Sequence, residues 1–226
     1  FITSTHDYVL FFTNRGKMYR MKGYEIPETG RAARGSHVVN LLPIEKDEKI
    51  SAMIRVDEVE NDSYLVMVTR NGTIKRTALS AYRNVRKGGI IAINLEEGDE
   101  LAWVRNTTGE DDLIIATRQG VAIRFAESDV RPMGRTATGV RAIRLDEGDE
   151  VIAMATCEEG GYLLTVTENG QGRRTALGEY RTQNRGGRGV RNYDCEGKGT
   201  LVAGVRVVGE EDDVILIADD GIIIRI

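Results

Sequence analysis

Proline, cysteine, histidine and long apolar runs are all scarce in this sequence. Only Pro27, Pro43 and Pro132 interrupt its 226 residues, so backbone N–H groups stay available for sheet pairing almost throughout. The two cysteines, Cys157 and Cys195, lie far apart without a CxxC spacing. That excludes a disulfide scaffold and fits structural thiols in a reduced, cytoplasmic protein. His6 and His37 stand alone, which argues against a metal centre built on His and Cys ligands. Apolar runs such as Tyr8–Phe12 and Val214–Ala218 stop at five residues, far short of the about 20 that a membrane-spanning helix needs. No signal peptide is visible, and a chain that opens on Phe1 reads as an excised fragment.

What is abundant is glycine, 26 residues, well above the usual level of about 7%. Many glycines with few prolines point to numerous tight turns between strands. Hydrophobic residues at 41% and charged residues at 29% describe an ordinary globular chain with a substantial core. The net charge of −4, from 31 bases and 35 acids, argues on its face against nucleic acid. Of those bases, however, 24 are arginine, whose planar fork suits phosphate.

Internal repetition fixes the architecture. Five segments share an apolar run, a turn glycine and a strand carrying an arginine: 8–21, 64–77, 113–125, 162–175 and 214–226. Their turn glycines are Gly16, Gly72, Gly120, Gly170 and Gly221, each followed four residues later by Arg20, Arg76, Arg124, Arg174 or Arg225. Four repeats continue with a basic Gly-rich loop, a short apolar strand, an acidic turn such as LEEGDE (95–100) or LDEGDE (145–150), and a closing strand. Four short strands in roughly 50 residues is the period of a propeller blade. The expected fold is all-β, with repeats over about 1–57, 58–108, 109–157 and 158–208 and a partial one at 209–226. Little helix is expected, because no 3.6-residue apolar period is sustained.

Acids and bases segregate into different turns. From Ser63 to Leu95 there are six bases (Arg70, Lys75, Arg76, Arg83, Arg86 and Lys87) and no acid. The candidate DNA contacts are Arg31 and Arg34 in the first loop, Arg83, Arg86 and Lys87 in the second, Arg131 and Arg135 in the third, and Arg181, Arg185 and Arg188 in the fourth. Recurring once per blade, they are expected to form a basic belt that holds a bent duplex through its phosphates, without base readout. The arginines four residues after each turn glycine differ. They recur beside neighbours as unlike as Tyr19, Lys75, Ile123, Arg173 and Ile224, which reads as a brace within the blade.

Three stretches, THDYVLFFTNRGKMYRMKGYEIPE (5–28), VNLLPIEKDEKISAM (39–53) and GEYRTQNRGGRGV (178–190), carry a family resemblance. The repeats resemble the C-terminal β-pinwheel domain of bacterial DNA gyrase A, part of a type IIA topoisomerase. That family's hallmark is Gln-Arg-Arg-Gly-Gly-Lys/Arg-Gly on its first blade. Gln183, Asn184, Arg185, Gly186, Gly187, Arg188 and Gly189 match it at six of seven positions, with Asn184 in place of an arginine. By order this box-like motif falls on a later blade, and the hallmark box itself is expected upstream of Phe1.

The resemblance implies a β-pinwheel: a disc of four-stranded blades that exchange strands with their neighbours. It implies wrapping of double-stranded DNA around the disc edge so that the holoenzyme introduces negative supercoils. It also implies partners, namely the remainder of gyrase A together with gyrase B in an A2B2 assembly at the bacterial nucleoid. ATP and Mg²⁺ would bind elsewhere in that holoenzyme, and no catalytic residue, cofactor or metal is expected in these residues. The isolated chain is expected to be monomeric and free of membranes. Two alternatives stay open: the homologous domain of topoisomerase IV, which favours decatenation, and a propeller-like module for protein contacts, which would need exposed aromatic or apolar hot spots.

Overall fold

The computed structural model describes residues 2–30, 32–57, 62–157 and 161–226. The first repeat contributes β1 (Tyr8–Thr13), β2 (Lys17–Lys22) and β3 (Ile50–Val56). The second contributes β4 (Tyr64–Thr69), β5 (Thr73–Ala78), β6 (Ile90–Ile91) and β7 (Leu101–Thr107). From the third come β8 (Asp112–Thr117), β9 (Val121–Ala126), β10 (Val140–Arg141) and β11 (Val151–Thr156). The fourth supplies β12 (Tyr162–Thr167), β13 (Gly172–Ala176), β14 (Val190–Arg191) and β15 (Val202–Val208), and a last hairpin is β16 (Ile215–Ile217) with β17 (Ile223–Arg225). The one α-helical turn among the described residues is Cys195–Lys198, and no helix there is long and apolar enough to cross a membrane.

The sheets run β3-β1-β2-β6, β7-β4-β5-β10, β11-β8-β9-β14 and β15-β12-β13. The four-strand count per repeat is therefore not the composition of a blade. The two-residue strand that follows each basic loop crosses to the outer strand of the preceding blade: Ile90 and Ile91 pair with Met18 and Lys17, Val140 with Ile74, and Val190 with Ala122. Glycine permits this approach. Gly139 and Gly189 hold φ of 109° and 74°, and a Cβ on either would lie 2.5 Å from the carbonyl oxygen of Ile74 or Ala122.

Blades stack face to face, so strand alternation serves two cores at once. On β4, Leu65 and Met67 join Leu10, Phe12 and Met18 of the first blade. Val66 and Val68 turn the other way to meet Ile115, Ile123 and Phe125 of the third. Burial on both faces explains why these strands read as unbroken apolar runs. The closing strands β3, β7, β11 and β15 contact one another in succession. They form the inner edge, leaving the exchanged strands and basic loops on the outer edge.

A backbone relay also crosses the blades. Arg70 N–H donates to the Glu100 carbonyl while its own carbonyl accepts from Val151 N–H, and Arg118 repeats this between Glu150 and Val202. Side chains follow the same path: Arg70 lies 3.0 Å from Glu100 and 3.5 Å from Glu150, and Arg118 bridges Glu150 and Glu168 at 3.2 and 2.5 Å.

Candidate nucleic-acid interface

The third and fourth basic loops are each laid along the outer strand of the blade before. Met133 N–H donates to Arg76 O and Gln183 N–H to Arg124 O, both at 2.8 Å. From there the loop runs to its exchanged strand and meets the previous loop. Gly186 N–H donates to Ala142 O at 2.7 Å, and Arg144 N–H to Gly187 O at 2.8 Å. The box-like motif is thus built into the junction of the third and fourth blades.

The ten candidate contacts divide by this geometry. Arg135 donates through Nη1 to Ile91 O at 2.7 Å, and Arg185 donates from the equivalent place in the next loop to Arg141 O and, at 3.3 Å, to Asp129 O. These two guanidiniums are half-buried clasps between successive loops. Arg34, Arg83, Arg86, Lys87, Arg131, Arg181 and Arg188 are exposed. Arg31 lies outside the described residues. Arg188 also comes within 3.7 Å of Asp146, so the acidic turn of the third repeat approaches the basic edge instead of standing wholly apart. Within the motif, Gly186 and Gly189 adopt φ of 82° and 74°, while the Gln183 Nε2 group is buried without a partner.

Of the six bases between Ser63 and Leu95, three belong to the fold. Arg70 is in the ion-pair relay. Arg76 is buried, stacked 4.7 Å from the Tyr64 ring centroid and bonded to Gly109 O at 3.1 Å. Arg20 and Arg174 stack likewise on Tyr8 and Tyr162 at 4.4 Å, and Arg124 replaces the stack with a 2.7 Å ion pair to Asp112. The arginine fixed after each turn glycine is a brace, tying the second strand to the start of the first.

Lys75 is the third, with no exposed surface. Its ammonium donates to the carbonyls of Ala92 (2.5 Å), Gly134 (3.4 Å) and Arg135, and no carboxylate among the described residues partners it. Burial, with the Arg135 charge nearby, lowers its pKa to about 8 from 10.5. Between those values the unfolded chain binds more protons, so this group's contribution to stability increases as pH rises from 8 to 10.5. Relative to Lys75→Met, wild type should gain about 3 kcal/mol over that window. Urea melts of both proteins at pH 8 and 10.5 check this, the tyrosine and cysteine titrations cancelling in the difference; a flat difference refutes it.

Two features of the site were not anticipated from sequence. A threonine three residues before four of the five turn glycines (Thr13, Thr69, Thr117, Thr167) accepts the N–H at or just before the start of the second strand, at 3.0–3.3 Å. The spacing was visible, but it needed a reason for a hydroxyl there. Glu127, fully buried beside Arg76 at 3.8 Å, breaks the repeat: Leu79 and Leu177 occupy the corresponding places.

The family model "DNA gyrase C-terminal domain, beta-propeller" matches residues 7–57, 63–108, 111–158 and 161–208. The chain belongs to the DNA gyrase A C-terminal domain family. The DNA gyrase A protein of Clostridium acetobutylicum is 58% identical over 140 residues, and that of Halalkalibacterium halodurans 59% over 140; each alignment covers 62% of this chain and 17% of the relative. The aligned stretch is thus about a sixth of those proteins. Among solved structures, the C-terminal domain of DNA topoisomerase IV superposes with TM-score 0.90 at 30% identity, covering 98% of this chain and 70% of that one. A DNA gyrase A C-terminal domain superposes with TM-score 0.80 at 26% identity, covering 99% and 73%. The β-pinwheel expected from the resemblance is the fold of this gyrase A C-terminal domain, exchanged strands included.

Proposed function

We propose that this domain is a non-catalytic DNA-wrapping element of gyrase A, bending duplex DNA along its outer edge through phosphate contacts. The observation that carries this reading is the recurrence of exposed bases at one register on successive outer-edge loops. Single-register recurrence suits a helical polyanion that passes every blade, and contacts limited to phosphates leave sequence unread. The outward set is Arg34, Arg83, Arg86, Lys87, Arg131, Arg181 and Arg188. Arg135 and Arg185 act one step behind, holding the loops in register.

In this reading the whole enzyme, with the rest of gyrase A and with gyrase B in an A2B2 assembly, uses ATP to introduce negative supercoils in the bacterial cytoplasm at the nucleoid. A topoisomerase IV role is the second reading, favoured by the 0.90 TM-score to that enzyme's domain; the 58–59% identity to gyrase A proteins supports gyrase over it.

The test separates edge from clasp. Arg181→Ala/Arg188→Ala should weaken duplex binding, lower the salt slope by about two, and reduce the bend, whose elastic cost of about 1–6 kcal/mol the edge contacts must offset. Its melting temperature should stay near wild type. Arg185→Ala should instead lower the melting temperature with little change in salt slope. In reconstituted enzyme the double variant should lose negative supercoiling while ATP-independent relaxation and DNA cleavage persist. Unchanged duplex affinity and bending in the double variant would refute wrapping by this edge.

A further inference from the structure

An open cavity of about 1390 Å³ lies between the inner strands and the last hairpin, and none of the outward bases lines it. Arg105 on β7 and Arg206 on β15 do, at corresponding places: they pair with Val66 and Leu164, which are themselves equivalent residues of β4 and β12. The blade between them carries Ala155 there, opposite Ile114, a side chain too short to reach across. Arg105 is half-buried, and its one hydrogen bond among the described residues goes to its neighbour's carbonyl, Val104 O, at 3.2 Å. The Arg206 side chain has no hydrogen bond or ion pair among the described residues. Burial, and then the Arg206 charge, push the Arg105 pKa down.

The carboxylates lining the cavity do not relieve them. Glu150 is held by Arg70 and Arg118, Glu168 by Arg118, and Asp212 accepts from Gly209 N–H at 2.7 Å. Asp219 sits on the exposed turn between β16 and β17. A half-buried guanidinium with most of its five donors unmatched, sharing a cavity with a second cation, is costly unless an anion satisfies it.

We propose that Arg105 and Arg206 form a binding site for a small phosphate-class oxyanion on the inner side of the blades. Two planar forks that line one cavity from different strands offer donors for the several acceptor oxygens of such a group. The lining mixes apolar residues, Ile152, Leu164 and Trp103 among them, with polar and charged ones, and ligand sites draw on both kinds. The site is independent of the outer-edge reading, and failure of either leaves the other standing.

Trp103, the sole tryptophan, reports on the site, because it lies two residues before Arg105 on the same strand face. Pyrophosphate titrated into the chain at constant ionic strength, balanced with chloride, should change Trp103 fluorescence along a saturable curve. Arg206→Gln, at an exposed position, should raise the apparent Kd at least tenfold. Arg105→Lys, which keeps the charge and loses the fork, should raise it by less. A non-saturable response, or an unaltered Kd in Arg206→Gln, overturns the proposal. A parallel titration with short duplex DNA tells the two phosphate sources apart: an Arg206-dependent signal from duplex alone would assign the arginines to the DNA path and overturn the small-anion site.

Discussion

Affinity for mixed-sequence duplex should fall by roughly three to four orders of magnitude between 50 and 200 mM salt. The figure follows from counting outward bases. Arg34, Arg83, Arg86, Lys87, Arg131, Arg181 and Arg188 are exposed on the loops, whereas Arg135 and Arg185 are committed to carbonyls of the neighbouring loop. Asp146 already neutralises part of Arg188, so about six contacts release counterions, giving a log–log slope of about −5 to −6. Counting all ten candidate bases would have predicted a slope nearer −9. Fluorescence anisotropy over a salt series distinguishes the two. The same slope should hold for unrelated sequences, because contacts to phosphates carry no sequence information. A slope shallower than about −2, or strong preference for one sequence, would sink the phosphate-edge reading.

The part of this architecture that recurs was legible in the sequence. The turn glycines, the brace arginines and the alternation of basic loops with acidic turns each appear once per repeat, and the residues obey the same local physics each time. What the sequence hides is where a repeat's short strand goes. Ile90–Ile91 and Val140–Arg141 look like strands of their own repeat, and nothing local says that they pair with Met18 or Ile74 of the one before; only the fit of a glycine against a carbonyl, seen in three dimensions, decides it. Side-chain destination is the second limit. Lys75, Arg83 and Arg86 belong to one acid-free run, yet Lys75 ends at 0% exposure against three carbonyls while the others stay in solvent. A strand alternates sides, so a base on β5 is assigned by its face, whereas a base on a loop is assigned by what the loop rests upon. Arg185 illustrates the latter: in the box-like motif it is indistinguishable from Arg188 until Arg141 O is found at its end.

Glu127→Ala should destabilise the domain by about 3–5 kcal/mol, the usual cost of leaving one member of a buried ion pair alone. Glu127 has no exposed surface and accepts from Thr107 Oγ1 at 2.5 Å, Gly109 N–H at 3.1 Å and Asp111 N–H at 3.3 Å. Its remaining partner is Arg76 Nη1 at 3.8 Å, on a guanidinium 8% exposed. These groups come from the end of β7, the connection beyond it and the outer strand of the second blade, so the carboxylate joins the second blade to the third. Truncation to alanine strands a buried cation and three donors together. Glu127→Gln keeps the volume and one acceptor and should cost less, about 1.5–3 kcal/mol. Arg76→Met/Glu127→Leu should recover the part of the loss due to the stranded cation, because leucine already fills this place as Leu79 and Leu177 in the flanking repeats, while the donors from Thr107, Gly109 and Asp111 stay unmatched. Against a total stability of about 5–15 kcal/mol, such differences are plain in urea melts. A loss below about 1 kcal/mol for the alanine variant, or costs that simply add for Arg76→Met and Glu127→Leu, would show that the two side chains are not energetically coupled.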